Sequence, residues 1–284
     1  MDGIILINKE KDYTSRDVVN IIGKYLNTKK VGHSGTLDPL ATGVLVIAIN
    51  KGLKVINLLT NLEKEYIVDV KFGIETDTLD ITGNILNEDN NYSVTKEQLI
   101  NVLNKFKITY QQEVPKYSAI KVNGKRLYEY ARNNEEVTLP KKEVTIKEIE
   151  LLEFNNNSFK FRTLVSKGTY IRSLIRDIGK ELNILMTMSN LKRTKQGMFN
   201  IIDCNTLDDI KNNKFKVLSL KDVLSTYKMI EVTDELYNKI KNGTILENNY
   251  DEDIIIFIKG KDVIAIYKRY DKDKNKIKPL HVLI

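Results

Sequence analysis

Two short apolar runs near the start of the chain constrain its fold most: Ile4-Ile5-Leu6-Ile7 and Gly43-Val44-Leu45-Val46-Ile47-Ala48-Ile49. Neither offers a polar side chain to water, so each reads as a buried strand. Thr14-Ser15-Arg16-Asp17 supplies a helix start between them, with a hydroxyl cap and an acid in the first turn. Val18, Val19, Ile22, Tyr25 and Leu26 follow at helical spacing. Glycine and proline then cluster in Gly32-His33-Ser34-Gly35-Thr36-Leu37-Asp38-Pro39, a loop signal. Strand, helix, loop and strand in this order point to a mixed α/β domain.

The rest of the chain extends that reading. Tyr66, Val68, Val70 and Phe72 share one strand face, with Asp69 and Lys71 on the other. Residues 96–106 and 169–185 read as amphipathic helices, the second with Ile171, Leu174, Ile175, Ile178 and Leu182 on its buried stripe. Residues 159–165 alternate as a strand, and residues 117–136 are basic and tyrosine-bearing, then acidic. A linker is expected near residues 225–230. Beyond it, residues 254–258 and 263–267 read as a hairpin around Lys259-Gly260-Lys261-Asp262, and residues 280–284 as a last strand. That tail reads as a small β-domain.

Lysine and arginine total 45 against 38 acids, a net charge of +7, which suits a polyanionic partner such as nucleic acid. The single cysteine, Cys204, can form no internal disulfide, and His33 and His281 lie far apart, so no zinc cluster is expected. No apolar stretch is long enough to span a membrane, and the first one is too short for a signal peptide. A reducing, cytoplasmic setting is expected. No coiled coil or self-association stripe is visible, so a monomer is expected.

Asp38 is the sharpest chemical feature. The loop glycines allow tight turning and close approach, and Pro39 drives Asp38 out of helical backbone space. On these grounds alone, an Asx-turn that merely closes a connection is the more frequent outcome. The loop lacks the Gly-Lys-Ser/Thr ending of a phosphate-cradling loop. Asp77 and Asp80 lack the third carboxylate, central glycine and terminal glutamate of a calcium loop, and read as turn acids.

The stretch Val31-Gly32-His33-Ser34-Gly35-Thr36-Leu37-Asp38-Pro39-Leu40-Ala41-Thr42-Gly43-Val44-Leu45 resembles the signature of the TruB-type pseudouridine synthases. Further segments are similar in the same order: Lys64-Glu65-Tyr66, Thr76-Asp77-Thr78-Leu79-Asp80, Tyr117-Ser118-Ala119-Ile120-Lys121, Tyr128-Glu129-Tyr130-Ala131-Arg132, Lys167-Gly168-Thr169-Tyr170-Ile171-Arg172-Ser173-Leu174 and Leu191-Lys192-Arg193-Thr194. Several ordered motifs at compatible spacing carry far more weight than one glycine-rich loop.

The resemblance implies a catalytic domain over residues 1–226, with a curved mixed sheet, flanking helices and an RNA-gripping insertion near 111–145. A PUA-like β-barrel would follow at 227–284. It implies isomerisation of uridine to pseudouridine in the T-loop of tRNA, at the position conventionally numbered 55, with no cofactor and no metal. Asp38 would be the nucleophilic carboxylate, which must be ionised to act. Arg172 would pair with it and fix its orientation; on spacing alone it reads as a solvent-facing helix arginine. Tyr66 would stack on the uracil, and Tyr170 and Leu191 would line the pocket. Periodicity alone makes all three core residues. His33 would fill the gap left by the flipped nucleotide, where spacing alone gives a turn histidine.

Lys116, Lys121, Lys125 and Arg126, interleaved with Tyr117 and Tyr128, form either an RNA-gripping insertion or, nearly as often for any single lysine, a solvated charged face. The partner would be the tRNA T-arm stem-loop, with no obligatory protein. Two other functions compete: an RNA-guided synthase that needs partner proteins, and a tRNA-folding chaperone. The chain departs from the family pattern at Asn8-Lys9-Glu10, where Asp-Lys-Pro is frequent, at Gln111-Gln112-Glu113-Val114-Pro115, which has one proline in place of two, and at Asn133-Asn134, where a glycine is frequent. Loss of the first proline is expected to loosen the turn that follows.

Overall fold

The computed structural model describes residues 1–284. From the N-terminus, β1 (Gly3–Lys9) leads to α1 (Ser15–Tyr25), β2 (Val31–His33), β3 (Thr42–Ile49), α2 (Ile56–Thr60) and β4 (Lys64–Phe72). A small hairpin, β5 (Ile74–Thr76) and β6 (Ile85–Glu88), precedes α3 (Lys96–Lys105) and β7 (Thr109–Glu113). A second hairpin, β8 (Lys121–Val122) and β9 (Lys125–Arg126), runs into α4 (Leu127–Arg132). Next come β10 (Lys141–Asn155), β11 (Ser158–Val165), α5 (Ile171–Leu182), β12 (Met186–Gln196), β13 (Phe199–Asn200), α6 (Leu207–Lys211) and α7 (Leu220–Val223). The tail holds β14 (Lys228–Glu231), α8 (Asp234–Lys241), β15 (Leu246–Glu247), β16 (Ile254–Lys259), β17 (Asp262–Tyr270) and β18 (Asp273–Val282).

Nine strands build one mixed sheet along the path β1-β3-β12-β4-β11-β10-β7, with β2 beside β3 and β13 beside β12. Only the β3–β12 pairing is parallel within it. Register shifts at Ile146/Glu148 and Leu151/Glu153 on β10, and at Met188/Asn190 and Arg193/Lys195 on β12, bend the strands and curve the sheet. One edge of β3 is taken by β1. The other is split, with β2 pairing at Ile47–Ile49 and β12 at Thr42–Gly43. The connection from β2 to β3, which carries Asp38, therefore crosses the point where β2 gives way to β12.

The apolar runs of β1 and β3 now have a cause. On one face Ile5, Ile7, Leu45 and Ile47 pack under Val18 and Ile22 of α1 in the main core, which also takes Leu174, Ile175 and Ile178 of α5. On the other face Ile4, Leu6, Val44, Val46 and Ala48 pack in one cluster with Ile256, Ile258, Val263 and Ile266 of the tail. Both strands are covered on both sides, so neither can alternate. The tail is a curled five-stranded sheet, β14-β16-β17-β18-β15.

Local signals explain the boundaries. Thr14 caps α1 through a reciprocal capping box with Asp17, as its sequence predicts, and Thr95 does the same for α3 with Gln98. The helix expected over 169–185 is shorter, Ile171–Leu182, because Asn183 turns left-handed at φ 54° and ends it. The expected linker at 225–230 is also shorter, since Lys228 already pairs with Ile255 at the start of β14. The final strand begins at Asp273, well before the expected residue 280, because the mostly polar Asp273–Lys278 run, with Ile277 turned into the core, pairs back on β17 as a hairpin arm. No helix is long and apolar enough to cross a membrane.

Candidate active site

Asp38 lies on a loop whose backbone is tied down from several sides. Ser15, at the start of α1, accepts the Leu37 N–H at 2.8 Å and donates to the Leu37 carbonyl at 3.1 Å. The Asp38 carbonyl accepts from Ala41 N–H at 3.0 Å. Arg193, almost fully buried, donates from Nε to the Val44 carbonyl at 2.7 Å and from Nη2 to the Gly35 carbonyl at 3.2 Å. Gly43 is the position where glycine is required: φ is 102°, and a Cβ there would collide with the Arg193 backbone.

Lys9 is a residue that sequence reasoning left without a role. Its ammonium is fully buried and donates to the carbonyls of Glu10 at 2.9 Å, Tyr13 at 2.6 Å and Pro39 at 3.3 Å. Burial pushes its pKa down to about 8, with the negative charge of Asp38 opposing. The Lys9 ammonium thus ties the turn after β1 to the loop at Pro39. Its place in the Asn8-Lys9-Glu10 motif was visible, but the contact with residue 39 was not.

Arg172 sits in the first turn of α5 and, contrary to its reading from spacing, is buried. Its Nε lies 3.0 Å from Oδ2 of Asp38, and Nη2 donates to Oδ1 at 3.2 Å. This two-point contact fixes the carboxylate plane. The remaining donors are also used: Nη1 donates to the Thr78 carbonyl at 2.8 Å, and Nη2 to the Tyr117 carbonyl at 3.1 Å. A second carboxylate, Asp80 Oδ2, lies 3.7 Å from Nη1. Asp80 is buried and accepts from Thr78 Oγ1 at 3.0 Å, Thr82 N–H at 3.0 Å and Thr82 Oγ1 at 2.5 Å. It is a turn acid, as its sequence suggests. It also backs the arginine, a contact that no local pattern could reveal.

A cleft of about 380 Å³ opens over this pair. Asp38, Tyr66, Tyr170, Arg172 and Leu191 all line it. Tyr66 arrives on β4 and Leu191 on the neighbouring β12, where they sit at adjacent registers, Tyr66 opposite Arg193 and Val68 opposite Leu191. Both rings and branches are buried, as core residues would be, yet both face the cleft. Tyr170 caps α5, with its N–H donated to Gln112 Oε1 at 2.8 Å, and burial raises the pKa of its phenol. The 117–128 region closes the opposite wall with Tyr117, Ser118 and Tyr128.

His33 is not among the cleft residues. It is half-buried at the end of β2, and burial, followed by the charges of Arg16 and Arg193, lowers its pKa, so it is neutral at pH 7. Within the basic segment, Lys125 is used internally: it pairs with Glu135 at 2.5 Å and lies 4.7 Å from the Tyr130 ring. Arg126 lies over Tyr128 at 5.8 Å, while Lys116 and Lys121 are exposed. No cluster of histidine, cysteine or acids suited to a metal is present.

The same fold is found in solved structures. A chain described as "Structure of H/ACA RNP bound to a substrate RNA containing 2'-deoxyuridine" superposes with a TM-score of 0.74 at 23% identity, over 99% of this chain and 85% of that one. A chain of a Cbf5-Nop10-Gar1 complex gives 0.75 at 24% identity with the same coverage. The family match, over half of the chain, places it among the pseudouridylate synthases, and the curved mixed sheet is the fold shared with the solved structures. More particularly, the chain belongs to the TruB family: the model of the TruB family pseudouridylate synthase N-terminal domain matches residues 23–171. Curated relatives extend the match along the chain. The tRNA pseudouridine synthase B of Bacillus cytotoxicus is 38% identical, covering 100% of this chain and 98% of its own. That of Mesoplasma florum is 39% identical, covering 97% and 96%.

Proposed function

We propose that this chain isomerises uridine to pseudouridine in the T-loop of tRNA, at the position conventionally numbered 55, with Asp38 as the nucleophilic carboxylate. The reaction breaks the bond from uracil N1 to the ribose and joins the ribose to uracil C5, while C5 loses its proton and N1 takes one up. Its atoms and electrons balance within the substrate, so no redox partner enters. The target base swings out of its stack into the cleft, at a cost of a few kcal/mol. Tyr66 offers a flat ring for the base, and Tyr170 and Leu191 wall off water. The Tyr66 hydroxyl is assigned a part in proton transfer.

The observation that carries the reading is the two-point Asp38–Arg172 contact at the floor of an aromatic cleft. It presents an oriented carboxylate to whatever base enters. The relatives named tRNA pseudouridine synthase B, matched over almost their whole length, support tRNA as the substrate. His33, outside the cleft but one loop away, is assigned to the space vacated by the base. We divide the chain after residue 226, with the 111–145 insertion gripping the T-arm and the tail acting as a PUA-like RNA contact. One copy acts alone, without guide RNA.

The test is product formation on an unmodified T-arm stem-loop, read by carbodiimide labelling or nucleoside chromatography. Wild-type protein should form pseudouridine, and Asp38→Asn should form none while binding RNA as tightly. Product only with an added guide RNA, or no product from folded wild type, would overturn the reading.

A further inference from the structure

Beside the cleft lies a second concavity that the proposed chemistry does not use. It has a volume of about 530 Å³ and runs along α1 toward β2. Arg16, Lys24 and Lys29 line it together with the amides of Asn20 and Asn27. All three cations are exposed, and no carboxylate lines the groove. The one acid of α1, Asp17, is spent on the Thr14 cap, accepting from its N–H at 2.8 Å and its hydroxyl at 2.6 Å. Many surface lysines elsewhere are paired, such as the exposed Lys105 with Glu181 at 2.5 Å and the half-buried Lys160 with Glu153 at 2.7 Å. Arg16 and Lys24 stand eight residues apart on the helix, roughly 12 Å along its axis.

The groove is mechanically continuous with the reacting carboxylate. Ser15 precedes Arg16 and is bonded in both directions to the backbone of Leu37, the neighbour of Asp38. Arg16 also lies close enough to His33 for its charge to disfavour the imidazolium. Cations and amide donors in a concave wall, with no acid present, fit the oxygens of a phosphodiester chain. We propose that this groove is a backbone-binding site for the RNA strand that leads to or from the flipped nucleotide. It would grip phosphates without reading sequence. This inference rests on the RNA-modifying reading above and adds a contact surface to it.

The test compares Arg16→Gln/Lys24→Gln/Lys29→Gln with Lys105→Gln/Lys147→Gln/Lys160→Gln. The second triple removes the same charge from lysines that are already ion-paired. RNA affinity is measured from low to high salt, and turnover at saturating RNA. The groove variant should bind about tenfold or more weakly at moderate salt, and its log–log salt slope should flatten by about 2. Its kcat should stay within twofold of wild type. An unchanged slope, or equal changes in the two triples, would overturn the inference, the latter because net charge alone would then suffice. Loss of binding to anionic phosphatidylserine vesicles with unchanged RNA affinity would assign the groove to a membrane surface and also overturn it. Wild-type turnover is scored separately, so failure of the catalytic reading would be visible as inactivity with the salt comparison still measurable.

Discussion

The two walls of the cleft are built on opposite principles. On the Asp38 side, the loop is pinned by Ser15, Lys9 and Arg193, and Arg172 spends its donors on Asp38, Thr78 and Tyr117. On the facing side, residues 116–132 carry a two-residue-per-strand hairpin and a short helix, with Lys116 and Lys121 exposed and the Tyr117 carbonyl as their point of attachment to Arg172. The first wall holds atoms in place and the second offers charge and aromatic surface. Reacting groups gain from fixed geometry, whereas a phosphate backbone can be gripped by mobile side chains. The two walls should therefore fail differently when mutated, one in kcat and the other in RNA affinity.

The largest effect falls on the pinned wall. Asp38→Asn should lower kcat by about 10³-fold or more, with RNA affinity within about twofold, since it removes the nucleophile and little else. Arg172→Lys should come next. A lysine keeps the charge but not the planar fork, and loses the carbonyls of Thr78 and Tyr117, so kcat should fall about 10²-fold. Single-turnover rates on a T-arm stem-loop measure both. If Arg172→Lys retained full rate, the fixed plane of the carboxylate would not matter and the contrast would collapse.

Asp80→Asn sharpens the same point one step further from the substrate. The amide fits the volume and can still accept from Thr82, but it removes the second negative charge near Arg172. A fall in kcat of about tenfold, with unchanged affinity, is expected for a positioning residue of this kind. On the facing wall, Lys116→Gln/Lys121→Gln should raise KM about five- to tenfold and leave kcat within twofold, with a shallower salt dependence. A kcat effect there would show that the hairpin also sets the geometry of the cleft.

The same division decides what the sequence could disclose. The apolar runs of β1 and β3, the capped α1 and α3, and the alternating β4 were legible because burial on one or both faces leaves a local period. The family motifs named Asp38, Tyr66, Tyr170, Arg172 and Leu191, and the fold brings these five into one cleft. The burial of Arg172 could not be read from spacing, because it depends on residues 38, 78, 80 and 117 arriving from distant segments. The same holds for Lys9, whose bond to the Pro39 carbonyl spans thirty positions. Strand β10 leaves no legible period, because its Lys-Glu-rich sequence buries only Val144, Ile146 and Ile149, and a register shift after Ile146 breaks the alternation.

The smallest expected effect concerns stability and the buried cations behind the pinned wall. Lys64, like Lys9, is buried with its ammonium on backbone carbonyls, those of Thr60 at 2.8 Å and Leu62 at 2.6 Å, and no carboxylate pairs with it. Burial lowers its pKa from 10.5 to about 8. Between about 8 and 10.5 the unfolded chain therefore binds more protons at this site than the folded one, so its contribution to stability rises with pH in that window and is flat below it. Lys64→Met keeps the apolar stem and removes the titration. Urea midpoints at pH 8 and pH 10 should rise less, or fall more, in the variant than in wild type. Parallel changes in the two proteins would mean that the Lys64 ammonium titrates alike in both states, and that this part of the frame is wetter than its burial implies.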